Sequence, residues 1–138
     1  MQANSSYTAV EETAPRSVWA ALRAGLALRC PNCRQGKLLK SYLKVVDRCP
    51  VCGEAFYHHR ADDAPAYFTI LIVGHIVLPA MLAALEFTSL PQWMHFIIWP
   101  TLAMTMTFTF LPRIKGALVA LQWALRMHGF QNEEAMAE

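Results

Sequence analysis

Two stretches of this chain carry no formal charge, and they organise the rest. Ala66 to Leu85 runs twenty residues without one and Trp93 to Leu111 nineteen. At a helical rise of about 1.5 Å per residue each is roughly 30 Å long, the thickness of a bilayer's hydrocarbon core. The pattern predicts two transmembrane helices. Two buried helices of a soluble bundle are the alternative, but these are usually shorter and keep a polar stripe. Pro79 and Pro100 predict bends, because a membrane helix tolerates proline where a neighbour re-satisfies the freed carbonyl. Only Glu86 to Gln92 separates the two stretches, which forces an antiparallel hairpin.

Shorter patterns flank the hairpin. Residues 1–14 are polar and Ser/Thr/Ala-rich and read as a disordered tail. Residues 15–29 read as an amphipathic helix: Thr13 is a candidate cap, Pro15 suits the first turn, and Val18, Trp19, Leu22 and Leu26 recur at helical spacing. Its Arg16, Arg23 and Arg29 can reach lipid phosphates with Trp19 at the interface, or the helix can pack on its neighbours. Lys37 to Val46 has the β-branched and aromatic content of a hairpin, and Ala55-Phe56-Tyr57 can add a third strand. After the second span, the apolar run of residues 112–130 is only ten residues long, Gly116 to Leu125. That is too short to cross, and Ile114, Leu118, Leu121 and Leu125 form a stripe, which predicts an interfacial helix. Residues 131–138 form an acidic tail.

Charge gives the hairpin a direction. The loop between the spans has no Lys or Arg, whereas residues 1–65 hold nine of the chain's twelve and residues 112–138 the other three. The positive-inside rule predicts both termini in the cytoplasm and the loop outside. The N-terminus lacks a basic region followed by an apolar one, so no cleaved signal peptide is expected.

All four cysteines fall in one pattern, Cys30-Pro31-Asn32-Cys33 and Cys49-Pro50-Val51-Cys52-Gly53, with fifteen residues between the pairs. A tetrahedral Zn²⁺ takes four soft ligands, and two Cys-x-x-Cys knuckles on opposed turns supply them. Gly53 tolerates the positive φ such a turn demands, and Gly36 can serve the first knuckle similarly. Two disulfides are the competing reading and require an oxidising compartment. The predicted cytoplasmic side favours structural zinc on a small β zinc ribbon, residues 30–60, too small to fold without its metal.

The chain resembles a family of small bacterial inner-membrane proteins of unknown function. The resemblance runs over roughly Leu28 to Phe130, through CPNCRQGKLL, CPVCGEAFYHHRADDAPAYFTILIVGH, HFIIWP and PRIKGAL, and the junction Arg60 to Ala66 is its most distinctive stretch. Arg34 and Ala64 stand where that family usually has glycine. The resemblance implies a zinc-ribbon protein of the bacterial inner membrane; some members are encoded among genes for cytochrome c oxidase assembly, which implies a respiratory-complex partner.

The other candidate residues each have a plain alternative. Asp62 and Asp63 precede the first span, where a carboxylate caps a helix; a paired-carboxylate site is the sharper reading. His58 and His59, just past Cys52, can add ligands, although four thiolates already complete a tetrahedron. His75 lies mid-span, where an ionisable group marks function by default. Met104 lies at a similar depth and His95 nearer the outer end, so His75 and Met104 are a candidate copper pair that lacks further ligands. The alternative is that His75 hydrogen-bonds across the hairpin to Thr105, Thr107 or a backbone carbonyl.

No catalytic triad, phosphate-cradling loop or cofactor fingerprint is present, so the chain is not read as an enzyme. The expected class is an α-helical membrane protein: a two-helix transmembrane hairpin (residues 61–111), an N-terminal β zinc ribbon and flanking amphipathic helices. The expected role is a non-catalytic accessory or assembly factor, its partners the lipid bilayer and a membrane complex such as an oxidase. Two rivals remain, a thiol-redox or metal-transfer protein and a membrane-tethered nucleic-acid-binding ribbon. For the last, the excess of nine basic over six acidic residues in residues 1–65 is small, and anionic lipid accounts for it equally well.

Overall fold

A computed structural model describes residues 15–130; the predicted tails at residues 1–14 and 131–138, and Thr13 with them, lie outside the described residues. Three helices form: α1 (Val18–Leu26), α2 (Ala64–Phe87) and α3 (Gln92–Ala124). Ser17 caps α1, its hydroxyl accepting from the Ala20 N–H at 3.4 Å. The helix ends three residues earlier than expected because Leu28 turns the chain at φ 59° and Arg29 pairs with Lys37 instead.

The second half departs more from expectation. The predicted span at 93–111 and the predicted interfacial helix at 112–130 are one helix of 33 residues, α3, with Pro100 and Pro112 inside it. Pro112 offers no N–H to the carbonyl of Phe108, one turn back. The Tyr42 hydroxyl donates to that carbonyl at 2.6 Å, its ring against Phe108 at 6.2 Å between centroids. A single lost bond, replaced from outside the helix, does not stop it. The connection between α2 and α3 is correspondingly tight, residues 88–91, with Thr88 and Pro91 both extended.

Both α2 and α3 are long and apolar enough to cross a membrane. They pack on each other; an i, i+4 stripe of α2 has Thr69 and Val73 buried and Val77 and Met81 partly so, and Trp99, Ala103, Met106 and Phe110 of α3 are partly buried. Most of their remaining apolar surface, including Ile70, Leu71, Phe96 and Phe108, faces outward.

From Pro112 onward α3 becomes the post on which everything else rests. On one side α1 crosses it at a run of small residues: Ala21, Ala24 and Gly25 against Gly116, Ala120 and Ala124, with the glycines in the closest contact. A Cβ on Gly25 would collide with the carbonyl of Gly116, and one on Gly116 with that of Gly25. Small residues let two backbones approach this closely. At the far end Arg16 lies over the Trp123 ring at 4.3 Å and donates to the Trp123 carbonyl at 2.9 Å. On another side the cysteine-bearing segment contributes Leu38, Val45 and Phe56 to a core shared with Val119, Ala120 and Trp123.

Among the described residues there is no strand. The expected ribbon strands reduce to three isolated antiparallel bridges, Arg29 with Lys37, Leu39 with Val45 and Arg48 with Ala55. The segment turns too often to extend a ladder, and its polar backbone groups are met by turns instead, such as Cys30 N–H to the Gly36 carbonyl. The architecture is therefore mostly helical, with two long apolar helices and a compact four-cysteine segment.

Candidate metal centre

The two knuckles are built alike. In each, the carbonyl of the leading cysteine accepts an N–H from four residues on, Cys30 from Arg34 at 2.9 Å and Cys49 from Gly53 at 3.0 Å. Both of those fourth residues have positive φ, 59° at Arg34 and 77° at Gly53. Arg34 thus holds a left-handed conformation that glycine adopts at no steric cost. Gly36 serves differently from expectation: a Cβ there would run into the Cys49 sulfur, so the residue is needed for room. Its N–H also points at the Cys33 sulfur, 3.4 Å away.

Folding brings the four sulfurs within 4.8 Å of one another. Two close pairs run between the knuckles, Cys30 to Cys52 at 3.7 Å and Cys33 to Cys49 at 3.8 Å. Four sulfurs at about 2.3 Å from a central ion lie about 3.8 Å apart along each edge of a tetrahedron. The spacing fits that arrangement and is far beyond a disulfide bond of about 2.05 Å. Among the described residues, Cys30, Cys33, Cys49 and Cys52 are the group of metal-binding side chains close enough to hold an ion.

The thiols are not equivalent. Cys30 and Cys49 are buried, Cys33 is half-buried and Cys52 is exposed, so the centre has a protein side and an open side. Burial pushes the Cys30 thiol up, and desolvation also raises Cys52. The N–H groups of Gly36 and Gln35 stabilise the Cys33 thiolate and lower it to about 6.

A polar clasp that sequence reasoning missed ties this centre to α3. Glu54, two residues past Cys52, accepts from Asn32 of the first knuckle at 3.0 Å and from the Trp123 indole N–H at 2.9 Å. Farther along, the Gln122 side chain pairs with the backbone of Arg60, donating to its carbonyl at 2.8 Å and accepting its N–H at 3.0 Å. No local spacing announces such pairs; only the polarity of Glu54 and Gln122 beside apolar neighbours hinted that each needs a partner.

The remaining candidates are scattered. Asp63 occupies the position before α2 but its carboxylate makes no cap; its carbonyl takes the Ala66 and Tyr67 N–H groups, and Pro65 fills the first turn as expected. Asp62 and Asp63 are exposed. His59 bonds the Phe56 carbonyl at 2.6 Å, and His58 packs between Tyr57 and Phe130. His75 does not reach across the hairpin: its Nδ1 bonds the Leu71 carbonyl of its own helix at 2.7 Å. His95 accepts from the Trp99 indole at 2.9 Å, and Met104 is exposed. Neither His75 nor His95 joins a cluster of candidate ligands among the described residues.

The profile of a family described as "Protein of unknown function (DUF983)" matches residues 39–123, more than half of the chain. The matched stretch includes Cys49, Cys52, Glu54, all of α2 and α3 as far as Trp123. No curated protein and no solved structure matches the chain.

Proposed function

The chain belongs to the DUF983 family, and on that premise we propose that it is a membrane-anchored zinc-ribbon protein that acts by docking a partner rather than by catalysis. One observation carries the reading: four thiolates at tetrahedral spacing, fixed through Glu54 and Trp123 to the end of a helix long enough to leave the bilayer. An all-thiolate set favours zinc, and four protein ligands leave no coordination position for a substrate. The ion supplies folding energy, holding two knuckles whose segment has too few backbone pairs to stand alone.

The hairpin α2–α3 serves as the anchor. The loop at residues 88–91 has no basic residue, whereas the ribbon side holds all of the chain's Lys and Arg. That asymmetry supports cytoplasmic termini in a bacterial inner membrane. The accessory role beside a membrane complex such as cytochrome c oxidase rests on the family resemblance, and the rigid ribbon is the surface that such a complex meets. Metal transfer is the second reading, favoured by the exposure of Cys52 and the lowered Cys33 thiol.

Metal analysis of the detergent-purified chain separates these. One zinc per chain, retained against a mild chelator, is the expected result. Rapid loss of the ion to a chelator favours metal transfer, and two disulfides without metal exclude both. Cross-linking in native membranes then tests the partner: oxidase subunits or assembly proteins attached at the ribbon support docking, and their absence among the cross-links counts against it.

A further inference from the structure

Two adjoining grooves lie where α1 hands over to the first knuckle, with volumes of about 480 and 490 Å³, and they share Ala27 and Arg29. One is bordered by Arg23 and Arg34, the other by Gln35 and Lys37. No acidic residue lines either. Arg29 and Lys37 face each other in an antiparallel bridge, where like charges destabilise the pairing. None of these four cationic side chains makes an ion pair or hydrogen bond among the described residues; the Lys40–Asp47 pair leaves them out. Four uncompensated cations around one concavity call for an anion.

Their level along α3 identifies its source. Taking the hydrocarbon core as about twenty residues from Gln92, it ends near Leu111. Gly116, which touches Gly25 and lies beside Leu28, then stands about 8 Å farther out, in the headgroup layer. Tyr42 reaches α3 at Phe108, so the ribbon side meets the bilayer edge. Leu28 and Leu39 supply an apolar wall to the second groove.

We propose that the paired grooves bind an anionic phospholipid headgroup of the ribbon-side leaflet, Arg29 and Lys37 holding one phosphate and Arg23 and Arg34 the next. Guanidinium groups suit phosphate because their N–H donors match its oxygens in pairs. Two grooves that share a cation fit a lipid with two phosphates, such as cardiolipin, better than one with a single phosphate. The proposal rests on the reading of α2 and α3 as membrane spans.

The test uses the full-length, metal-loaded chain in detergent, with bound lipid counted by native mass spectrometry. Cardiolipin, phosphatidylglycerol, phosphatidylcholine and inorganic phosphate are offered separately. Cardiolipin is expected to bind at least ten-fold more tightly than phosphatidylcholine, with phosphatidylglycerol between them. The pair Arg29→Gln/Lys37→Gln removes that preference, while Lys40→Gln/Lys44→Gln, equal in charge change, keeps it; metal content stays at the wild-type value in both. Equal binding of cardiolipin and phosphatidylcholine overturns the proposal, as does equal loss in both variants or preference for inorganic phosphate over lipid. Release of the chain from membranes by alkaline carbonate overturns the membrane reading and this proposal together, whereas firm retention without lipid preference overturns this proposal alone.

Discussion

Single residues set how tightly the four sulfurs are held. Gly36 and Gly53 each follow a knuckle but serve it differently, one leaving room for a sulfur and the other adopting a left-handed backbone conformation. Gly36→Ala pushes a methyl group into the Cys49 sulfur and tilts the N–H aimed at Cys33. A ten- to hundred-fold loss of metal affinity is expected, the usual effect of disturbing groups behind a ligand, read by competition with a chelator. Arg34 predicts the opposite outcome. Its left-handed conformation costs about 1–2 kcal/mol that glycine does not incur, so Arg34→Gly is expected to raise the thermal unfolding midpoint of the metal-loaded chain. The Cys-x-x-Cys spacing told which atoms meet, because ligand spacing is local. It did not tell that Gly36 is a matter of space, since that depends on a sulfur thirteen residues away in sequence.

At the scale of elements, Pro112 was the misleading signal. A proline after an apolar stretch reads as a boundary, and here the helix runs through it while Tyr42, seventy residues earlier in the chain, donates to the carbonyl that lacks its N–H. Tyr42→Phe leaves the Phe108 carbonyl without that donor, which costs about 1–3 kcal/mol when the carbonyl is away from water. Adding Pro112→Ala returns a backbone donor to the same oxygen. The double variant is therefore expected to recover most of the loss, and denaturation of all four proteins of the cycle measures the coupling. Purely additive effects would show that the hydroxyl does something else. The two long apolar helices were legible because length and absence of charge are properties of a segment. The α1 crossing was not, because alanines and glycines spaced four apart on two segments far apart in sequence carry no hydrophobic period.

For the whole molecule, the four-cysteine segment, α1 and the C-terminal end of α3 share one core through Leu38, Phe56, Val119 and Trp123. Removing the metal is expected to abolish amide exchange protection across residues 28–60 and to loosen α1, while the α2–α3 hairpin, held by its own packing, stays protected. Loss of protection throughout would mean that the hairpin also depends on the ion. A sequence could suggest a ribbon and an anchor as separate parts but not that one helix serves both, since that follows from continuity across Pro112. The overhang of α3 beyond Pro112 is twelve residues, about 18 Å. It works as a lever arm: if α3 leans by ten degrees in the bilayer, the ribbon clamped at Trp123 swings sideways by about 3 Å. On the proposed reading of α2 and α3 as membrane spans, membrane thickness or a neighbour pressing on the hairpin thereby steers where the four sulfurs point.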